Sequence, residues 1–221
     1  KELDKKALTI KGHIEREYYR IKEMLDGKVP CRMDLFTYME DEVYQYCVKH
    51  AKENPFRHYL DYLHDLGELS VKEEELYGGI GKEFLTLIET TDMTKVYKIP
   101  ILYSFYDNGD VRLEVTESEV LTCWKKFFDR NRNWRDFSKN ITYEEYKNMS
   151  DKQHLTKAKT MPIRFLKESG KGFFVEKEGF ALAIREDLRQ GIKSPAFRAH
   201  MGDILEYRTM EYYRRRYQGT E

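Results

Sequence analysis

The stretch KIPILYSFYDNGDVRLEV, Lys98 to Val115, decides the fold class. Val96, Ile99, Ile101, Tyr103 and Phe105 lead into Asp107-Asn108-Gly109-Asp110, after which Val111, Leu113 and Val115 alternate with polar neighbours. An Asn-Gly pair between two such runs marks a tight hairpin, because the two central positions of the favoured turn need positive φ. Two antiparallel strands are therefore predicted here. Everything before Asp92 follows the helical period, so the chain reads as α+β.

Upstream, Leu3, Ala7, Ile10, Ile14, Tyr18, Ile21 and Leu25 step by three and four and draw one stripe on a helix, which Gly27 caps and Pro30 stops. Leu35 to His50 and Phe56 to Leu66 read as further helices separated by Glu53-Asn54-Pro55. Ser70 with Glu73 is a capping box for a helix to Glu89. Downstream, Thr116 with Glu119 opens a helix through Val120, Leu121, Trp124 and Phe128, and Thr142 with Glu145 and Ser150 with Gln153 repeat the signature. Asp129 to Asn140 is irregular, and Pro162 is expected to open a short helix ending at Gly170. Phe173 to Ile184 around Gly179 reads as a second hairpin, and Ser194-Pro195 starts a final helix to about Tyr217. The expected fold is predominantly helical α+β: a helical part at 1–93 and a mixed part with two β-hairpins at 94–221.

The 39 Lys and Arg balance 39 Asp and Glu, but unevenly along the chain. Residues 1–120 hold 17 basic against 25 acidic side chains, and residues 121–216 hold 22 against 13. A basic half points to a polyanion or an acidic partner, or to the two halves docking on each other. The chain is 40% hydrophobic with 17 Tyr, 12 Phe and 2 Trp, enough to fill a core, which excludes wholesale disorder. No apolar run is long enough for a membrane span and no apolar segment near the start resembles a secretory signal, so no membrane partner is expected. Cys31, Cys47 and Cys123 are an odd number in a chain too large to need stapling, which suits a reducing, cytoplasmic compartment. The first residue is Lys1 rather than Met, so a segment cut from a longer protein is expected.

Complete catalytic motifs are missing. Gly78-Gly79-Ile80-Gly81-Lys82 is half a phosphate loop, but Leu76 stands where a glycine is needed and Glu83 where a Ser or Thr would hold magnesium. A helix kink or helix-to-helix turn is the plainer reading. Cys47 and His50 have a ligand-like spacing without the thiolates of a structural zinc site, so Cys47 is read as a small apolar side chain. Asp110 and Glu114 could serve a metal-dependent nuclease, yet Thr116 replaces the lysine such a site uses to polarise water. No catalytic residue and no metal site are assigned.

Two segments suit phosphates instead. From Trp124 to Arg135, Lys125, Lys126, Arg130, Arg132 and Arg135 are interleaved with Trp124, Phe127, Phe128 and Trp134. Cations neutralise phosphates while exposed rings stack on bases, a combination suited to single strands. Trp124 and Phe128 can also be core, but Trp134, flanked by arginines in a loop, is what a core reading explains least. At the end of the last helix, Arg214, Arg215 and Arg216 stand among tyrosines; they complement the helix dipole, and one can pair with Glu211, but three in a row exceed that need.

Gly27-Lys28-Val29-Pro30 followed by Asp34-Leu35-Phe36 resembles the turn after a long helix beyond the motor domains of bacterial superfamily 2 DEAD/DEAH-box helicases, the group that includes restriction-enzyme-like and defence-associated proteins. Ile99 to Gly109, Met161-Pro162-Ile163-Arg164-Phe165-Leu166 and Ile204-Leu205-Glu206-Tyr207-Arg208 look like the C-terminal tail of the same proteins. The resemblance implies a non-catalytic accessory region that helps an ATP-driven motor engage DNA, with the motor domains as partners in cis. The chain has no Gly-Lys-Thr loop and no Asp-Glu-x-His box, so ATP and Mg²⁺ are expected only in motor domains outside it. The alternatives are a small metal-dependent nuclease of a restriction or defence system, using carboxylates such as Asp110 and Glu114, and a protein-interaction module without nucleic-acid binding.

Overall fold

Thr9 accepts a hydrogen bond from the Gly12 amide and starts helix α1 (Ile10–Met24), the first element of the computed structural model, which describes residues 9–217. Contacts divide the chain into two compact units, Lys1–Ser70 and Val71–Glu221. The boundary expected at 93/94 thus falls inside the second unit, because the two helices before it pack on the C-terminal helix.

In the first unit, Ile14, Tyr18 and Ile21 of α1 are buried, as the stripe predicts. Leu3 and Ala7 of that stripe lie outside the described residues. The chain leaves α1 through Asp26 (φ 56°) and Gly27 (φ 80°), and the Gly27 amide donates to the Lys22 carbonyl at 2.9 Å. The helix expected over Leu35 to His50 is two: α2 (Arg32–Tyr38) and α3 (Asp41–Lys49). The break at Met39-Glu40 has a partner in α1. Arg20 donates to the Tyr38 carbonyl at 2.7 Å, and the buried Glu17 carboxylate accepts the Glu40 amide at 3.0 Å. Backbone groups that a helix break exposes are thereby satisfied by a side-chain ion pair, Glu17–Arg20, itself 2.7 Å long. Asn54 caps a 3-10 turn at Pro55–Arg57 and α4 (Tyr59–Leu66) follows, ending at Gly67 with φ 67°. Tyr18, Tyr44, Phe56 and Tyr59 fill the core together with Arg32, whose Nε donates to the Phe56 carbonyl at 3.0 Å. Cys47 is buried beside Met39, and burial pushes its thiol up to about 12, so it packs as an apolar side chain.

The second unit begins with α5 (Val71–Tyr77) and α6 (Ile80–Thr90), broken at Gly78-Gly79; the glycine-rich stretch is a helix-to-helix turn. Gly81 is buried, and a Cβ there would lie 2.7 Å from Leu76 and 3.3 Å from Phe197, so its lack of side chain lets the elements close. Residues 96–105, expected as a strand, form instead α7 (Lys98–Ser104). The apolar run is buried on all sides (Val96, Ile99, Ile101, Leu102 and Phe105), and such a run has no period of its own. Pro100 decides it: a proline is excluded from a central strand but tolerated in a helix's first turn, where its missing N–H has no acceptor to serve.

The hairpin survives only at its tip. Tyr106–Asp107 (β1) pairs with Asp110–Val111 (β2) across Asn108 (φ 49°) and Gly109 (φ 91°), the positive pair the turn requires. Glu114–Val115 (β3) turns away to join the second hairpin, Phe174–Val175 (β4) and Leu182–Ile184 (β5), in an antiparallel sheet of order β3-β5-β4. Val115 pairs with Leu182 and Phe174 with Ile184.

Helices α8 (Glu117–Asp129), α9 (Tyr143–Lys147) and α10 (Asp151–Ala158) each start at the expected capping box. Pro162 does not open a helix. It sits inside a π-turn, Lys159–Ile163, that joins α10 to α11 (Arg164–Ser169). In α geometry its ring would strike the Ala158 carbonyl; the wider turn removes the collision, and the Arg164 amide reaches back to Lys159. The last helix, α12 (Pro195–Tyr217), packs on α5, α6 and α7. Phe84, Phe173, Phe174 and Phe197 form one aromatic cluster, with Phe84 and Phe197 stacked at 6.0 Å. Tyr97, Trp124, Phe128 and Phe137 form another, with Trp124 and Phe128 at 4.8 Å. The fold is α+β and mostly helical. Among the described residues no helix is long and apolar enough to cross a membrane.

Candidate nucleic-acid interface

The inward face of α8 is set by Val120, Trp124 and Phe128, each with no exposed surface, so Trp124 and Phe128 belong to the core. The intervening cations face outward for that reason. Lys125 pairs with Asp151 of α10 at 2.8 Å; the aspartate holds the ammonium above its ordinary range and is itself lowered in return. Lys126 is exposed and has no ion-pair partner among the described residues.

Phe127 lies between these faces. Its ring meets Phe128 edge-on at 5.3 Å and stacks on Tyr213 of α12 at 6.5 Å, with the planes 27° apart. Tyr213 in turn stacks on Tyr217 at 6.0 Å. After α8 the chain bends through Asn131 (φ 53°), and the Asn133 side chain donates to the Phe127 carbonyl at 2.9 Å, closing the helix end. Arg130 and Arg132 project from this bend, exposed and without an ion-pair partner among the described residues.

A 3-10 turn, Asn133–Asp136, then carries three side chains with different tasks. Trp134 is half-buried, its ring 5.4 Å from that of Tyr143, which is itself exposed. The Arg135 guanidinium lies 5.5 Å from the Trp134 ring centre, over its face. Asp136 points inward and is 3% exposed. Its Oδ1 accepts from the Tyr212 hydroxyl at 3.3 Å and from Arg216 Nε at 3.2 Å. Burial and the Asp136 charge together push the Tyr212 hydroxyl up to about 12, so it stays a neutral donor. Asp136 also holds the Arg216 guanidinium above its ordinary range.

The two basic segments singled out in the sequence therefore share one region. Asp136 ties Arg216 to the 3-10 turn, and Tyr213 covers Phe127, so the last turn of α12, which carries Arg214, Arg215 and Arg216, lies next to the bend with Arg130 and Arg132 and the 3-10 turn with Arg135. Lys125 and Arg216 are bound to carboxylates, whereas Lys126, Arg130, Arg132, Arg135 and Arg215 have no carboxylate partner among the described residues. Sequence reading missed Asp136 and the Phe127–Tyr213 contact; a single aspartate 80 positions from its arginine leaves no local signal. It also missed Tyr143, the partner ring of Trp134.

The carboxylates weighed for a nuclease go elsewhere. Asp110 binds Arg198 at 2.7 Å, and Glu114 binds Lys177 at 2.7 Å and Arg189 at 3.5 Å. Thr116 caps α8. Comparison of the chain with models of known protein families, with curated proteins and with solved structures finds no match.

Proposed function

We propose that this chain is a non-catalytic region that binds nucleic acid, single-stranded DNA in particular, through the surface where the end of α8, the 3-10 turn after it and the end of α12 meet. The observation that carries the reading is the clasp of Asp136 on Arg216, which brings the arginine-bearing last turn of α12 to the 3-10 turn, where five cations have no carboxylate partner among the described residues. Cations of that kind release counterions when they meet phosphates, and Trp134, Tyr143 and Tyr217 offer ring faces to unpaired bases.

The resemblance of Gly27 to Pro30 and of Ile99 to Gly109 to the region beyond superfamily 2 helicase motors extends the reading. In it the chain serves a bacterial, cytoplasmic DNA helicase as an accessory part docked on the motor domains in cis, and the motor supplies ATP and Mg²⁺ chemistry outside these 221 residues.

The test is binding of labelled single-stranded and forked DNA across a salt series. If the five cations each meet a phosphate, the logarithm of affinity falls against the logarithm of salt with a slope of about −3 to −4. A flat salt dependence overturns the reading. Cleavage of plasmid in Mg²⁺ or Mn²⁺ that is abolished by Asp110→Asn overturns it in favour of a nuclease.

A further inference from the structure

Away from that surface, the second unit carries a cavity of about 320 Å³ between the segment leading into α7 and the π-turn. This size is at the lower end for a small-molecule site. Tyr97, Met161, Pro162 and Phe165 line it together with Lys95 and Lys98. The π-turn shapes it: the extra backbone atoms around Pro162 carry Met161 outward between this cavity and a shallower depression lined by Lys152 and Lys157. Met161 and Phe165 are 38% and 40% exposed, a pair of large apolar side chains left against solvent beside charge.

The charges here are unbalanced. Lys98 is half-buried and donates only to the Thr91 hydroxyl, at 2.9 Å. Lys157 is half-buried with its ammonium 4.6 Å from the Phe137 ring centre and 5.2 Å from that of Tyr97. Neither these two nor Lys95 has an ion-pair partner among the described residues, and Asp92 is the one carboxylate in the cavity wall. Burial, first, and the neighbouring Lys95, second, hold the Lys157 ammonium below its ordinary range; burial, first, does the same to Lys98, against the opposing charge of Asp92 and with a smaller contribution from Arg208. Lys95 and Lys98 thus line an apolar cavity with one carboxylate between them, and Lys157, which Lys95 repels, stands in the adjoining depression. An anion is what would relieve both costs.

We propose that this cavity binds a phosphate ester with an apolar, ring-bearing body, such as a nucleoside monophosphate, with the ring against Tyr97, Met161 and Phe165 and the phosphate on Lys95 and Lys98. The site is separate from the arginine-rich surface and does not depend on it. The same chemistry has two sources, a free nucleotide or the phosphorylated end of a strand.

The experiment is calorimetric titration of the full chain with adenosine monophosphate, adenosine and inorganic phosphate. The monophosphate binds, and adenosine or phosphate alone binds at least about tenfold more weakly, since each keeps half of the contacts. Lys95→Gln and Lys98→Gln each weaken the monophosphate about tenfold or more, the loss of a charge-assisted hydrogen bond. Phe165→Ala, a change at a partly exposed position, weakens the monophosphate and adenosine but not phosphate. Lys126→Gln, on the other surface, changes none of these. A 5′-phosphorylated oligonucleotide that outcompetes its 5′-hydroxyl twin at this site in wild type, but not in Lys98→Gln, identifies the strand end as the source; equal competition identifies the free nucleotide. No heat with the monophosphate at millimolar concentration, or binding that Lys95→Gln, Lys98→Gln and Phe165→Ala all leave unchanged, overturns the proposal.

Discussion

Asp136 reaches across 80 positions of sequence to hold Arg216, its Oδ1 3.2 Å from the guanidinium Nε. The aspartate is buried and the arginine half-exposed, so the contact is an anchor with a fixed end and a solvated one. It makes the last turn of α12 part of the same surface as the end of α8.

Asp136→Ala is expected to lower the stability of the second unit by about 1–3 kcal/mol, because the Tyr212 hydroxyl loses its acceptor in a buried setting and Arg216 loses its charge partner. Urea unfolding followed by tryptophan fluorescence checks this, since Trp124 and Trp134 both lie in that unit. A midpoint equal to wild type would mean that α12 is held without the clasp.

Trp134→Ala should weaken single-strand binding by about 1–3 kcal/mol, the worth of one base stack, with the fold intact by circular dichroism. Fluorescence anisotropy with a labelled oligonucleotide measures it. Unchanged affinity would assign the Trp134 ring to packing against Tyr143 alone.

The Glu17–Arg20 pair makes the break between α2 and α3 sensitive to acid. The Arg20 hydrogen bond, and after it the Glu40 amide, holds the Glu17 carboxyl below its usual 4.5 against the opposing effect of burial. A carboxyl lowered by folding contributes stability that is present above its unfolded value and lost as pH falls through the folded one. Wild type should therefore lose urea resistance on acidification below about pH 4.5 more steeply than Glu17→Gln, which starts less stable at neutral pH. Parallel pH profiles by far-UV circular dichroism would show that the pair does not support the break.

Gly202 lies in α12 against the Tyr106 hydroxyl, and a Cβ there would overlap the phenol. Gly202→Ala should cost about 1–3 kcal/mol by overpacking, although alanine is the better helix former by about 1 kcal/mol. Combined with Tyr106→Ala it should cost less than the two changes summed, as contacting sites do. Strict additivity in chemical denaturation would remove the contact.

Local signals were legible where side chain and backbone settle the outcome between themselves. The capping boxes at Thr116, Thr142 and Ser150 each start a helix, and Asn108-Gly109 makes its turn. The α7 segment was not legible from alternation, because its residues are buried all round and Pro100 carries the decision. The split of 32–49 was hidden for another reason: its cause, Glu17 with Arg20, lies on a different helix. The cations of the candidate surface could be picked out by composition, and Trp134 by its place among arginines. Their assembly could not, since Asp136, Phe127 and Tyr213 act only once distant segments have met.

The π-turn at 159–163 also acts as a phase shifter. One residue more than an α-turn needs rotates everything after it by about 100° relative to an unbroken helix. With that offset His154 and Ala158 before the turn and Ile163 and Leu166 after it all face inward. Removing a single residue from the turn would leave a regular α-helix with Leu166 still on the inward face, so the turn is the place where the chain takes up one residue of extra length while both helices stay addressed to one core.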